Sequence, residues 1–413
     1  VYQYFNGPDE RKKMREESLA PRNSRELAVR NQFFTPRYVV QFLTDNTLGR
    51  IWYEMRGTNT VLADPCEYMV RKPGEEFAPR AKKDPRDLRV LDPACGSGHF
   101  LLYAFDLMLT IYEEAHDDPE SPKSEATGKS LAADYPSIVA LRKAIPGLVL
   151  AHNLHGVDID ARCVQIAQLA LWMRAQKAYR DFDIGRAERL QIRRSNIVVA
   201  EPLVADEQIA KEFVATLEDA ELARVFRSLI ESMNLAGDLG LLLRVEQLVA
   251  PEAERGQTGD LFAPPAERIR AALDRFVNRG RSRTNTRRRL FADDAAHGVA
   301  LVRLAEKKFD AVLMNPPFGA GSLQAKKDFE KAYPRTKNDV YAAFVERGVE
   351  LLSSRGRVGA ITSRTGFFLS SFQKWREEVL LRQAPPAVFA DLGAGVLDSA
   401  MVETAAYCLE ALA

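Results

Sequence analysis

The sequence has 413 residues, of which 46% are hydrophobic and 28% charged, and its net charge is +1. These values are typical of a globular chain of about two or three domains. They exclude nucleic-acid binding through bulk positive charge, so any such binding must come from local patches.

Cysteine usage and hydropathy limit the cellular compartments and the kinds of site that the sequence predicts. The four cysteines have no paired spacing, which argues against a disulfide framework or a zinc module and predicts a reducing, cytoplasmic location. No apolar run reaches the ~18 residues of a membrane span, and no ligand set for a metal is evident. We therefore expect neither a membrane contact nor a bound metal. The chain begins at Val1, inside an already patterned segment, which suggests a piece of a longer protein.

A charged, helix-prone segment over residues 1–30 is followed by the stretch Phe34, Thr35 and Pro36. Apolar side chains then recur at helical spacing over residues 39–52. Thr35 can cap this helix, with Pro36 at its first position. The next residues are rich in proline, glycine and charge as far as the first strand, and we expect a connector there.

A short apolar strand over residues 88–91 runs into a glycine-rich turn and an apolar helix. This unit is typical of nucleotide-binding sheets. Gly96 and Gly98 allow the backbone to approach a ligand closely, but their spacing fits neither a Walker phosphate loop nor the dinucleotide fingerprint. Asp92 at the strand end would repel a pyrophosphate and attract a cation, such as the amino and sulfonium groups of S-adenosylmethionine.

A second strand is predicted over residues 153–160, ending in an acid of the kind that accepts hydrogen bonds from ribose hydroxyls in Rossmann-type sheets. Asp160 is expected to cap a helix over residues 161–177. The separation from the glycine-rich turn is longer than usual. Polar residues 116–135, which we expect to form an exposed and mobile insertion, account for the excess.

A third strand is predicted over residues 190–193, ending at Ser195 and Asn196. The alternation of strands and helices then breaks, and residues 201–300 are predicted to form a helical insertion. Charge runs are usually solvated faces, but clustered arginine with almost no lysine favours phosphate contact. The cationic run contains Arg275, Arg279, Arg281, Arg283, Arg287, Arg288 and Arg289.

An apolar strand over residues 309–314 stops at an amide, two prolines and an aromatic ring. Proline cannot donate to a sheet ladder, so the strand must end at the edge where open α/β sheets bind ligands. The amide and a carbonyl there suit an amino group on a planar heterocycle, on which the ring would stack. An ordinary strand end with a turn would explain the prolines but not the amide and the ring. The tetrapeptide is Asn315, Pro316, Pro317 and Phe318.

The remaining elements complete an α/β fold, predicted as a Rossmann-like sheet with a helical insertion. Asp339 can cap a helix, and residues 356–362 form a strand. Residues 387–390 and 404–409 supply two late strands that pair antiparallel at the sheet edge. The predicted segments are an amino-terminal helical segment (1–58), a cofactor-binding half (59–200), the insertion (201–300) and a catalytic half (301–413).

Taken in this order, the motifs resemble the gamma class of adenine-N6 DNA methyltransferases. The stretches around residues 32–50 and 92–105 are most similar to the methyltransferase of BREX/Pgl phage-defence systems. The resemblance implies an S-adenosylmethionine-dependent fold and methylation of a flipped adenine in double-stranded DNA, in phage defence or restriction-modification. Other defence subunits would be partners, and a target-recognition domain would lie beyond Ala413.

The resemblance also implies roles for individual residues. The family usually has an acid near the end of the third strand, where Asn196 stands here, so the role of that position is open. Two aromatic rings would hold the flipped base from either side. The implied catalytic residues are Asn315, Pro316, Pro317, Phe318 and Phe372. The implied cofactor-binding residues are Phe34, Thr35, Pro36, Asp92, Ala94, Gly96, Gly98, Asp158, Ile159 and Asn196.

Two other functions remain open from the sequence. Methyltransferases of a glutamine amide or of an RNA amine share the Asn-Pro-Pro-aromatic motif, but they are usually smaller and lack the Thr35–Pro36 segment and the long insertion. A non-catalytic DNA-binding or scaffolding subunit of a defence complex would not need Asp92, Asp158 or Asn315.

Overall fold

Seven strands form one sheet in the described part of the computed structural model, which confirms the predicted α/β fold class. Their order across the sheet is 3-2-1-4-5-7-6. The first five strands are mutually parallel, and the seventh pairs antiparallel with both the fifth and the sixth. The strands are β1 (Val90–Asp92), β2 (Leu154–Asp158), β3 (Asn196–Val199), β4 (Phe309–Met314), β5 (Leu352–Ser363), β6 (Pro386–Gly393) and β7 (Thr404–Glu410).

The structure describes most of the chain outside its amino terminus and part of the insertion. The described residues are 34–57, 60–192, 195–202, 207–247, 285–397 and 402–412, except positions 73, 75, 76, 78 and 218, together with scattered positions within 13–29 and 268–275. Arg279, Arg281 and Arg283 of the predicted cationic run lie outside them. So do the side chains of residues 287–289, although their backbone is helical.

Helices cover both faces of the sheet. They are α1 (Arg37–Thr44), α2 (Arg50–Arg56), α3 (His99–Asp117), α4 (Leu131–Asp134), α5 (Ile138–Leu148), α6 (Ala161–Asp181), α7 (Glu207–Ala215), α8 (Ala220–Met233), α9 (Ala236–Leu239), α10 (Asn285–Ala305), α11 (Lys326–Ala332) and α12 (Val340–Glu350). Short 3₁₀ or π segments join several of them, among them Asp45–Gly49, Val149–Asn153, Gly240–Leu242, Arg364–Phe367 and Ser370–Phe372.

The central strand β4 shows why the sheet is covered on both sides. Val312 and Met314 pack into a hydrophobic cluster on one face, together with helices of the insertion. Ala311 and Leu313 pack into a second cluster on the other face. A parallel strand that is buried on both faces has a nearly continuous apolar sequence, which makes its ends easy to predict. The predicted bounds of this strand, residues 309–314, are confirmed.

The predicted position of the third strand was wrong. Residues 190–193 alternate apolar and polar, whereas the observed strand β3 is the apolar run that begins at Asn196. Asn196 therefore lies at the amino end of the strand, where it pairs with His155. Its side-chain nitrogen donates to the carbonyls of Leu150 and Ala151, at 3.2 and 3.0 Å.

Two further local expectations are corrected by hydrogen bonds. The first helix begins at Arg37, with Pro36 at the capping position and no side-chain cap, so Thr35 does not cap it. Residues 116–135 are held against the core rather than loose. Arg86 donates to the Lys129 carbonyl at 2.9 Å, and the Glu125 amide donates to Asp87 at 2.9 Å.

A buried ion network connects α2 to the strands β5 and β7. The carboxylate of Glu54 accepts from Arg50 at 2.8 Å, from Arg80 at 2.6 Å and from Arg357 of β5 at 2.8 Å. Arg357 also donates to Glu410 of β7 at 2.6 Å. Burial alone would raise the pKa of Glu54, but Arg357, Arg50 and Arg80 together hold that pKa below its ordinary value.

Replacing Glu54 with Gln should lower the free energy of unfolding by about 3–5 kcal/mol, because three largely buried guanidinium groups lose their shared carboxylate. Urea unfolding at neutral pH measures this change. Glu67→Gln, at an exposed position, is the control and should shift stability by less than about 0.5 kcal/mol. Similar unfolding curves for the two variants would contradict a stabilising role for the network.

Candidate active site

The carboxyl ends of β1, β2 and β4 border a cleft of about 890 Å³, a volume that includes space open to solvent. It lies at the sheet edge at which the sequence motifs were expected to meet. Among the described residues that line it, Asp158 and Asp238 alone have ionisable carboxyl groups, and there is no lysine, arginine or histidine. The predicted site residues among them are Ala94, Gly96, Asp158, Ile159, Asn315 and Pro317.

The glycine-rich turn follows β1 and needs its glycines for conformational reasons. Gly96 and Gly98 have φ values of +51° and +87°, which residues with a Cβ rarely adopt. Gly98 stands at the amino end of α3, where an added Cβ would meet the Cβ of Ala167 at 3.3 Å. The turn is thereby held close to α6 and to the end of β2.

Asp158 connects this turn to the second strand. One carboxylate oxygen accepts from the Gly96 amide and the other from the Asp160 amide, each at 2.8 Å. Burial raises the pKa of Asp158 to about 6, while these backbone amides oppose that rise. The carboxyl group is therefore mainly ionised at neutral pH.

The expected cation-binding acid, Asp92, is placed differently. Its side chain is buried and accepts from the Ala94 amide at 3.2 Å, and it is not among the residues lining the cleft. Burial raises the pKa of Asp92 well above its ordinary value, and nearby Asp158 adds to the rise. Asp92 thus stabilises the turn through its hydrogen bond to the Ala94 amide and does not line the cleft.

The amide of Asn315 stands at the end of β4 and is held by the amino-terminal segment. Its Nδ2 donates to the hydroxyl of Thr35 at 3.0 Å. This bond restricts the rotation of the Asn315 side chain. The hydroxyl that was expected to cap a helix instead orients the first residue of the tetrapeptide.

The other end of the tetrapeptide is tied to α12. The Gly319 amide donates to Asp339 Oδ1 at 2.8 Å, and the Val340 amide donates to the Gly319 carbonyl at 2.9 Å. Asp339 Oδ1 also accepts from the Tyr341 amide at 3.2 Å, which confirms its predicted role as a helix cap. Burial raises the pKa of Asp339 to about 7.

The aromatic residues do not form two facing walls. The ring of Phe318 lies 6.0 Å from that of Tyr341, and Tyr341 stacks on Phe372 at 5.6 Å. Phe372 is only 6% exposed and does not line the cleft. The structure therefore corrects its expected placement as a second ring opposite Phe318. Phe368, at 70% exposure, is the aromatic residue of the same loop that faces solvent.

The register of β3 also changes the expected third-strand position. Asn196 lies at the opposite edge of the sheet from the cleft, so its expected contact with cofactor or base is not supported by the fold. Beyond the carboxyl end of β3, the Ala200 amide donates to the Asp158 carbonyl at 2.8 Å. The next residue, Glu201, is the acid at this end, and it contacts His297 at 3.1 Å.

The insertion contributes residues to the cleft that sequence reasoning missed. Asp238, Leu239, Gly240 and Leu242 line it together with the sheet residues. They lie far in sequence from both the glycine-rich turn and the tetrapeptide, in a segment without a recognised motif. The local signal in the sequence is the pair of glycines near Asp238, Gly237 and Gly240.

Among the described residues, no three His, Cys, Asp or Glu side chains are grouped so that they could hold a metal ion. None of the helices in the described part is long and apolar enough to cross a bilayer.

Comparison with known proteins gives two matching family profiles. One, described as Eco57I restriction-modification methylase, matches residues 152–389. The other, described as the DNA-methyltransferase domain of MmeI, matches residues 80–215.

Curated relatives match over nearly the whole chain. The adenine-specific methyltransferase BrxX of Escherichia coli O9:H4 (strain HS) is 26% identical over 404 residues, which cover 94% of this chain and 31% of the relative. The adenine-specific methyltransferase PglX of Lacticaseibacillus casei (strain Zhang) is 26% identical over 402 residues, covering 92% and 29%. The chain thus spans less than a third of the length of these relatives. A solved DrdV–DNA complex matches with a TM-score of 0.45 at 14% identity, covering 93% of this chain and 27% of that one.

Because the pKa of Asp339 is raised to about 7, the folded protein binds a proton there that the unfolded chain has already lost above about pH 4. The free energy of unfolding should therefore fall as pH rises from 5 to 8. Asp339→Asn keeps an acceptor oxygen but cannot ionise, so this fall should be smaller by roughly 2–3 kcal/mol.

Urea unfolding across this pH range measures the difference between variant and parent. Asp328→Asn, at an exposed site on α11, should leave the pH dependence unchanged. A parallel pH dependence in Asp339→Asn and the parent would contradict the assignment.

Proposed function

Since the chain belongs to the family of Eco57I restriction-modification methylases, we propose that it transfers a methyl group from S-adenosylmethionine to the N6 amino group of adenine in DNA. The observation that carries the proposal is that Asn315, at the carboxyl end of β4, lines the same cleft as Gly96 and Asp158. The curated relatives are named adenine-specific methyltransferases, which supports adenine as the target base.

The chemistry of the cleft fits S-adenosylmethionine, which supplies a methyl group on a positively charged sulfur. A lining with two aspartates and no basic side chain suits a cationic ligand better than a phosphate. Each carboxylate oxygen of Asp158 accepts one backbone amide, and a carboxylate oxygen has room for a second donor. Asp158 can therefore bind ribose hydroxyls while it holds the turn, with Ala94, Gly96 and Ile159 beside it.

The proposed role of Asn315 follows from the weakness of the nucleophile. The lone pair of adenine N6 is delocalised into the ring, so the amine needs to become pyramidal before it attacks. Hydrogen bonds from N6 to the Asn315 oxygen and to the Pro316 carbonyl favour that shape and stabilise the positive charge that develops on nitrogen. The nitrogen bonds to the methyl carbon as the carbon–sulfur bond breaks, and it then loses a proton to water.

The target base must leave the duplex to reach a cleft at the end of a strand. Phe318, which follows the two prolines, would stack on the extruded base, and such stacking offsets part of the unstacking cost at ~1–3 kcal/mol per base. The substrate is then double-stranded DNA. From the likeness to BrxX and PglX we also propose a role in phage defence or restriction-modification, with further defence subunits as partners.

Asn315→Ala should reduce methyl transfer to unmethylated DNA by about 100- to 1000-fold, because one preorganised electrostatic partner of the amine is lost. Transfer of labelled methyl to DNA, followed by nucleoside analysis for N6-methyladenine, measures the change. Asn234→Ala, at an exposed position of the insertion, should retain full activity.

Unchanged activity in Asn315→Ala would contradict the catalytic assignment. Labelling of a glutamine-containing peptide or of RNA, but not of DNA, would contradict the proposed substrate.

Thr35 acts in this scheme as a positioning residue for the Asn315 amide. Thr35→Val removes the hydroxyl that accepts from Asn315, and should lower kcat about 10-fold with little change in KM for DNA. Thr35→Ser keeps the hydroxyl and should restore most of kcat. Equal losses in the Val and Ser variants would show that the hydroxyl does not orient the amide.

A further inference from the structure

Two large apolar side chains, Phe368 and Leu369, project into solvent from the loop that follows β5. Their exposed fractions are 70% and 50%, and Phe368 is the most exposed large hydrophobic residue in the described part of the chain. Single exposed apolar residues are normal on protein surfaces, whereas two adjacent ones form a small apolar projection that a partner can cover.

The loop that carries this pair lies at the same edge of the sheet as the candidate active site. Because β4 and β5 are parallel neighbours, residues 364–372 follow β5 at the edge where the tetrapeptide follows β4. Aromatic contacts connect the two segments. The ring of Tyr341 lies 6.0 Å from that of Phe318 in the tetrapeptide and 5.6 Å from that of Phe372 in the loop. The exposed pair is thus carried beside the place proposed for the extruded base.

Hydrogen bonds hold the backbone of the loop in place. Arg376 Nη1 donates to the carbonyls of Gly366 and Leu369, both at 2.7 Å. The amides of Phe368 and Leu369 donate to the Thr365 carbonyl at 3.1 and 3.0 Å. The loop cannot withdraw its two apolar side chains into the core without breaking these bonds. Apolar surface that is fixed in water is unfavourable, so this arrangement favours a partner that covers the pair.

Exposed lysines flank the loop, which itself contains no acidic residue between positions 364 and 372. Lys337 and Lys374 are both exposed. The neighbour of Lys337, Asn338, donates to the Ser371 carbonyl of the loop at 2.5 Å. Ammonium groups on either side of an apolar projection suit a nucleic acid, in which phosphates flank stacked bases.

Extrusion of a base leaves a gap in the duplex, and apolar side chains such as Phe and Leu can enter between base steps. We propose that Phe368 and Leu369 enter the DNA stack beside the target adenine and occupy space that the extruded base leaves. The pair acts on the duplex, whereas Phe318 acts on the base itself. Phe368 and Leu369 are therefore positioning residues, and the inference rests on the proposed methylation of adenine in double-stranded DNA.

Phe368→Ala tests this role with two DNA duplexes. Sequencing of DNA methylated by the unmodified protein identifies the target adenine, which is then placed in one duplex opposite thymine and in another opposite cytosine. Methyl transfer to the matched duplex should fall about 10- to 100-fold, because the stacking that offsets extrusion is lost. Transfer to the mismatched duplex should fall by less than about 3-fold, since a mismatched base is extruded at little cost.

A second measurement does not require methyl transfer. The base analogue 2-aminopurine becomes more fluorescent when it is unstacked, so a duplex that carries it at the target position should brighten when the unmodified protein binds. This increase should be largely absent with Phe368→Ala and retained with Phe368→Trp, which keeps a large ring. Leu412→Ala is the matched control, because Leu412 is 59% exposed and follows β7 at the opposite edge of the sheet.

Several outcomes would overturn the inference. Unchanged transfer to the matched duplex by Phe368→Ala would do so, and so would equal losses on the two duplexes. An undiminished fluorescence increase with Phe368→Ala would show that the ring is not needed to hold the base outside the stack. Absence of methyl transfer to any DNA by the unmodified protein would instead contradict the proposed function, on which the inference depends.

Discussion

Two consecutive residues without an amide hydrogen stop β4 at Asn315, and the candidate site is built around that stop. A sheet ladder cannot continue through Pro316 and Pro317. Because β1, β2 and β4 are parallel neighbours, their carboxyl ends lie at one edge of the sheet. The end of β4 therefore faces the cleft that the glycine-rich turn and the end of β2 also border.

The amide at this strand end is constrained from both sides. The Thr35 hydroxyl accepts a hydrogen bond from the side-chain nitrogen of Asn315. Asp339 accepts a hydrogen bond from the backbone amide of Gly319, which follows the tetrapeptide. These contacts come from segments far apart in sequence, one before the first strand and one at the start of α12. Electrostatic stabilisation of a reaction depends on groups that do not reorganise, and this double attachment provides that rigidity.

Buried carboxyl groups recur beneath and around the cleft. Burial raises the pKa values of Asp92, Asp158 and Asp339, and each of them accepts backbone amides of a turn or a helix end. Their ionisation is thus less favourable in the folded protein than in the unfolded chain, yet their hydrogen bonds fix the loops of the site. Because their pKa values are raised, these carboxyl groups lower the free energy of unfolding at neutral pH, at the positions whose hydrogen bonds hold the loops of the site.

Local signals in the sequence predicted much of this fold. The apolar run of β4, the positive-φ glycines after β1 and the cap at Asp339 are each determined by a few neighbouring residues. Positions that depend on distant packing were predicted poorly. Asn196 was assigned to the wrong end of β3, and Phe372 was expected at the cleft although its ring is buried against Tyr341.

Asp238 is the clearest case of information that the sequence pattern does not carry. It belongs to the insertion, which interrupts the alternation of strands and helices and for which the sequence predicts a cationic patch rather than a contact with the cleft. Its segment is bonded to Arg347 and Tyr333 on one side and contacts Ile159 on the other. The sheet alone would leave the cleft open at this side, so the insertion is part of the architecture of the site. A ligand held between Ile159 and this segment would be in contact with both halves of the fold at once.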